Sequence, residues 1–527
     1  MEPFAVAKKG NLDPLVTGGT VSWDRRRQPY FSMGEGTLQV PMSMHAANRS
    51  RLCERLRASK GDIGDNAVIV LQGGSELPIY DTDTQWDFKQ ESNFQYLFGV
   101  KEPDCLGFLR VSDAKAVLLV PVLAEEYQKW VGPIKPPAWF HSAYAVDEVA
   151  RIDQAKAVLE SLGAKELLVL QGDENRDSGL RLPEPEFEGK ASFTISKKGS
   201  QVLWDTINEC RVVKSEDELR VLQYVNDVSS RAHVEVMRVS KGLGGQREHL
   251  AEATFKYQSM LRGCFRVGYS CICGSGRRNA ILHYGHTAEP NSESVMPGSM
   301  RLLDMGAEYH GYTADVTCSF PVSGRFSEPQ RAVYGAVWAA TVAVEERLKP
   351  GVNYKDMHRL AQRTMLEKMK EAGMFRGGVD EMMAAGIMSY FMPHGLGHNL
   401  GLDVHDVGGY APGVFKKDDP TIKENLRLGR ELVEGQVLTV EPGFYFVDYL
   451  IEQAMAEPTV SAFIDSKRMY ELWAAVGGVR IEDDVVVTKT GCRVLTCVPR
   501  AIEEIEAVMA GQEWTVSPSC CRSYTAE

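Results

Sequence analysis

The sequence predicts an α/β (α+β) chain of two principal domains, and three features predict it. From Met42 a helical pattern through AANRSRLCERLRAS is followed by the strand-like runs AVIVLQGG, LGFLRV and KAVLLVPV, the alternation of an α/β domain. Near Asp205 to Lys214 a second unit begins. There Ser215, with Glu218 three residues later, forms a capping box, and apolar residues then recur at helical spacing. Beyond it, LLDMGAEYHGYTADVTCSF has a plausible turn at its centre and reads as an antiparallel hairpin.

At 527 residues the chain has room for two or three domains and a large core. Residues 1–35 mix Gly, Pro and charge without period and are expected to be a disordered extension. Residues 36–205 form the first domain, 206–511 the second, and 512–527 a flexible tail. No short-period repeat is visible.

The formal charge of −12 argues against nucleic acid or an anionic membrane as the main partner, because both are bound by basic patches. The cluster Arg25-Arg26-Arg27 is read as part of the polar arm. No run of about 18 apolar residues is present, so a membrane span is not expected. Eleven scattered cysteines without CxxC pairs, and no apolar leader, point to a reducing, cytoplasmic setting.

Asp304, Asp315, His398, Glu441 and Glu482 lie in patterned stretches, the last three in FMPHGLGHNLGLDVHD, LTVEPGFYF and GGVRIEDDVVVT. Four carboxylates and one imidazole form an oxygen-rich ligand set for two divalent ions. A hairpin turning at Glu308–Gly311 sets Asp304 opposite Asp315, with Cβ atoms about 4.5–5.5 Å apart. Two facing anions repel unless cations lie between them. Strand alternation puts Arg480, Glu482 and Asp484 on one face, so Glu482 is expected beside Arg480. Four carboxylates balance two divalent ions, which can then hold a bridging hydroxide at neutral pH. The donor set favours Mn²⁺, with zinc and cobalt left open.

The motifs CICGSG, HYGH, LDMG, ADVTCSFP, HGLGH, DVHDVGG, TVEPG and GGVRIEDDVVVT, running from about Arg211 to Gly511, resemble those of the prolidases, the Xaa-Pro dipeptidases of the pita-bread metallopeptidase family. The resemblance implies a creatinase/aminopeptidase-P-like N-terminal domain, where DFKQESNFQYLFGV is similar to a family segment, followed by a pita-bread catalytic domain. It implies that Asp304 and Asp315 hold one metal, that His398 and Glu441 hold the other, and that Asp315 and Glu482 bridge them. Glu441 is implied to shuttle a proton, and His283 and His405 to contact substrate and steady the tetrahedral oxyanion. Tyr269, Arg427 and Arg480 are implied substrate contacts, with Arg427 reading the dipeptide carboxylate. A homodimer is implied as well.

Some features stay open at this level. The chain has Thr287-Ala288-Glu289-Pro290-Asn291 where prolidases carry small residues before Pro-Asn, and Glu289 is read as a solvated loop residue. His310 is expected to be exposed at its turn. His286 either serves structure or orders the His283 loop, and His394 either neighbours the metal shell or orders backbone. The alternatives to a dipeptidase are an aminopeptidase P acting on longer Xaa-Pro peptides and a non-enzymatic pita-bread binding protein. The full ligand set argues against the second, and Arg427 with the extended segment between Asp406 and Glu441 argues against the first.

Overall fold

The computed structural model describes residues 20–21, 29–59, 63–64, 66–170, 182–241, 245–286, 289–412, 426–517 and 521–525. In the N-terminal half, six strands form a mixed sheet in the order Glu148–Arg151, Ala116–Val120, Leu106–Arg110, Ala67–Gln72, Glu166–Val169, Thr194–Ile195. Strand alternation sorts its apolar side chains into two layers. Val68 and Val70 pack with Phe108, Val158 and Leu159 on one face. Ile69 and Leu71 join Leu52, Leu56, Leu203 and Ile207, carried by helices Ser43–Ala58 and Lys197–Val212, on the other.

Helix Glu216–Ser240 opens on the expected capping box: Ser215 N donates to Glu218 Oε2 at 2.8 Å, and Glu218 N to Ser215 Oγ at 3.4 Å. The C-terminal half then builds antiparallel sheets inside a layer of helices. One sheet joins Ile272–Ser275, Met300–Asp304 and Thr317–Pro321, and another joins Val437–Val440, Asp483–Val487, Gly491–Val494 and Ser523–Thr525. A ribbon of Gly443–Tyr445 with Gly478–Arg480 lies beside them, and a single bridge between Thr317 and Glu482 connects the first sheet to the run into the second.

The hairpin register differs from the expected one. Glu308 pairs with Thr313 and Tyr309 with Tyr312, so the turn is His310–Gly311, with φ of +51° and +84°. Two successive positive φ values define the turn that matches strand twist, and histidine is among the residues that tolerate them. Asp304 therefore faces Thr317, and Asp315 lies two residues before Thr317, in the link between strands Tyr312–Thr313 and Thr317–Pro321. A shift of two preserves the face, so both aspartates still reach the same cavity.

Three further expectations change. His310 is buried, with its Nε2 2.9 Å from His45 Nε2 and its ring stacked on Phe31, which joins the two halves of the molecule. Phe31 belongs to strand Tyr30–Ser32, inside the segment expected to be disordered, and that strand pairs with Val40–Pro41. Arg25-Arg26-Arg27 lie outside the described residues. The described residues of the tail after Gly511 are docked where a flexible tail was expected: Val516 is buried and Ser523–Thr525 extends a sheet.

Candidate metal centre

The ten residues singled out from sequence, Tyr269, His283, Asp304, Asp315, His398, His405, Arg427, Glu441, Arg480 and Glu482, all line one cleft. Close backbone approach shapes its walls. A Cβ on Gly306 of LDMG would lie 1.7 Å from the Ala314 carbonyl oxygen, and one on Gly397 of HGLGH 2.2 Å from that of Thr439. Glycine is needed at both places because only a residue without a side chain fits.

Asp315 N donates to Asp484 Oδ2 at 2.9 Å, which fixes the backbone at this ligand-type residue. His398 Nδ1 donates to the Asn399 carbonyl at 2.9 Å, which orients the ring with Nε2 toward the cleft. That Nε2 lies 3.4 Å from Asp315 Oδ2 and 3.5 Å from Glu441 Oε1. Asp315, His398 and Glu482 each offer a ligand atom within 4.8 Å of the others.

Asp304 is held from two sides, by Tyr269 Oη at 2.6 Å and Arg480 Nη2 at 2.5 Å. Arg480 also donates to Tyr445 Oη at 2.8 Å and Thr317 Oγ1 at 3.1 Å. Burial and then the neighbouring carboxylates push Asp315 and Glu482 well above the ordinary range. Burial pushes Glu441 to about 7, although His398 and Arg480 oppose it. Burial and Arg480 lower His394 to about 3, and its Nε2 meets Tyr445 Oη at 3.0 Å. Crowded buried carboxylates around an imidazole are a donor set suited to divalent cations, because cations relieve the repulsion that burial amplifies.

Three supporting residues were not singled out in the sequence. Thr317 Oγ1 donates to Glu482 Oε2 at 2.6 Å, Thr439 Oγ1 accepts from His398 N at 3.2 Å, and Tyr445 bonds both Arg480 and His394. A signal existed for two of them: Asp315-x-Thr317 and Thr439-x-Glu441 share the two-residue spacing that places Arg480 beside Glu482. Glu289 is exposed and absent from the cleft wall. His286 sits in the short helical turn Tyr284–His286.

Taken together, a helix-wrapped set of antiparallel sheets around a buried carboxylate–imidazole cleft, behind an α/β domain, defines a metallopeptidase of two domains. Residues 220–489 match metallopeptidase family M24 and residues 45–169 match the aminopeptidase P N-terminal domain. The chain belongs to family M24, whose members use divalent metal ions. It is 46% identical over 493 residues to an Xaa-Pro dipeptidase of Rattus norvegicus, covering 93% of this chain and 98% of the relative. A probable Xaa-Pro aminopeptidase of Talaromyces marneffei is 34% identical over 90% of this chain and 98% of its own. Zinc-substituted Escherichia coli aminopeptidase P in complex with product superposes with a TM-score of 0.70 at 27% identity, over 90% of this chain and all of that one. Among the described residues, no helix is long and apolar enough to cross a membrane.

Proposed function

We propose that this metallopeptidase hydrolyses Xaa-Pro dipeptides and releases free proline, with two divalent ions, Mn²⁺ by preference, held by Asp304, Asp315, His398, Glu441 and Glu482. The observation that carries the reading is the gap in likeness, 46% identity to an Xaa-Pro dipeptidase against 34% to a probable Xaa-Pro aminopeptidase, each over at least nine-tenths of the chain. Arg427 on the cleft wall supports it, since a dipeptide ends one residue beyond the scissile bond and its carboxylate needs a cationic clamp.

When bound, the ions supply the Lewis acidity that activates water and polarises the scissile carbonyl. The remaining work falls to the chain. Tyr269, Thr317 and Arg480 orient the carboxylates of Asp304 and Glu482. The carboxylate of Glu441 takes the proton of the attacking water and returns it to the prolyl nitrogen. His283 and His405 donate to the oxygen that becomes negative, a form of support often worth a few kcal/mol. The Xaa-Pro bond has no N–H, and this scheme requires none.

The protein acts as a cytoplasmic homodimer, and the exposed Trp86 and Trp130 of the N-terminal half support an intersubunit surface. The test is turnover by metal-depleted protein with and without added Mn²⁺. Mn²⁺ is expected to restore cleavage of Gly-Pro and not of Gly-Pro-Gly. Full activity without metal, or faster cleavage of the tripeptide, overturns the reading.

A further inference from the structure

After Gly511 the chain runs back across the catalytic half. Trp514 Nε1 donates to the Cys497 carbonyl at 3.0 Å, and Ser523–Thr525 pairs with Gly491–Arg493. This path delivers Arg522 to two fully buried acids, Glu345 at the end of helix Glu328–Glu345 and Asp483. Arg522 Nη2 lies 2.6 Å from Asp483 Oδ2 and 3.0 Å from Glu345 Oε1, and its guanidinium sits 4.9 Å from the ring centre of Trp338.

Asp483 has a second cation. Arg500 donates to its Oδ1 through Nε at 3.2 Å and Nη2 at 2.8 Å. The same guanidinium grips backbone, with Nη1 2.7 Å from the Thr317 carbonyl and Nη2 bonded to the Glu482 carbonyl. Thr317 and Glu482 are the bridged pair at the edge of the cleft. Successive side chains on an extended segment point to opposite sides, so Glu482 enters the cleft while Asp483 turns away from it. The backbone of Glu482 is thus braced from behind by a chain of contacts that begins in the tail.

Charge decides why the tail matters. Two buried carboxylates are matched here by two guanidinium groups, and removing one partner of a buried pair leaves an uncompensated charge. Without Arg522, Arg500 is left as the cation on Asp483, and turning to cover both of its carboxylate oxygens draws it off the two carbonyls. We propose that Arg522 is a positioning residue for the metal centre: it satisfies the outer side of Asp483 and Glu345, leaving Arg500 to fix the Thr317 and Glu482 backbone and hence the Glu482 carboxylate. This rests on the reading of Glu482 as a metal ligand.

The experiment measures Mn²⁺ content and affinity of the full chain by competition with a chromophoric chelator, alongside thermal unfolding. Arg522→Met is expected to weaken Mn²⁺ affinity by about ten-fold or more, as happens when a partner that orients a ligand is lost. Excess Mn²⁺ should recover its turnover of Gly-Pro, and Arg522→Lys should fall between it and the parent. If Arg522→Met does not fold, Arg522→Gln, which keeps a polar head and removes the charge, takes its place, and the same loss of affinity is expected. Parent-like Mn²⁺ affinity in a folded variant of either kind, even with lowered thermal stability, overturns the proposal and leaves the tail a simple strap. A parent protein that binds no Mn²⁺ overturns the ligand reading itself, which separates the two failures.

Discussion

Glu482 and Asp483 are adjacent and both buried, yet they belong to opposite electrostatic regimes. Burial raises each. On Glu482 the charges of Asp315, Glu441 and Asp304 add to the rise, and its carboxyl stands well above the ordinary range. On Asp483 the guanidinium groups of Arg500 and Arg522 more than reverse the rise, and it stands below its ordinary value. Depth alone therefore does not mark a functional acid. What separates the two is the local charge count: the chain sets two guanidinium groups against Asp483, whereas Arg480 offsets only part of the charge of the carboxylates around Glu482.

Paired substitutions attack that contrast most directly. Glu482→Gln is expected to abolish metal retention and reduce Gly-Pro hydrolysis to background, while metal-free protein unfolds at the same urea concentration as the parent or a higher one, because a crowded anion has been removed. Asp483→Asn strands two guanidinium groups and is expected to cost about 3–5 kcal/mol in the same urea titration. Equal destabilisation by both changes would erase the distinction.

Arg427→Ala examines the cleft side for a cation that serves substrate and not the fold. Loss of one partner of a desolvated charge pair costs about 2–5 kcal/mol, so kcat/KM for Gly-Pro is expected to fall at least tens-fold. C-terminally amidated Gly-Pro should lose far less, since it offers no carboxylate. Equal losses on the two substrates would return Arg427 to a structural role.

The smallest effect concerns a third buried site, which holds no carboxylate. Burial lowers His45 to about 4, and Arg49 adds to this, while burial, His45 and Lys101 hold His310 well below the usual imidazole range. Both rings are neutral in the fold, whereas an unfolded histidine takes a proton below 6.5. The stability they lend is complete above pH 6.5 and drains away as pH falls towards about 4. The drop in melting temperature between pH 7 and 5 should be smaller in His310→Asn than in the parent, and an unchanged drop would mean that the pair does not sense pH.

Much of the site could be read before folding because its logic is local. The side-chain period of two put Arg480 with Glu482, and the same period, applied to Asp315 and Glu441, points to Thr317 and Thr439. The hairpin was legible too, but its pairing register was misjudged by two residues. The turn is set by which pair of residues accepts positive φ, and His310–Gly311 does so only in the context of the strands around it. An error of two left the aspartates on the correct face, where an error of one would have turned them away.

The sequence by itself determined the kinds of side chain that line the cleft, the capping box that opens the C-terminal half, and the apolar strand runs of the N-terminal sheet, because each depends on chemistry within a few neighbouring residues. The tertiary structure alone decided that His310 meets His45 across the two halves, that Arg480 is bonded to Asp304, and that the tail carries Arg522 to Asp483 and Glu345. His310 lies 265 residues from His45 and Arg480 176 from Asp304. No local pattern marks such partners. They are selected when burial removes water and each remaining charge or polar group must find its complement among whatever the fold brings near.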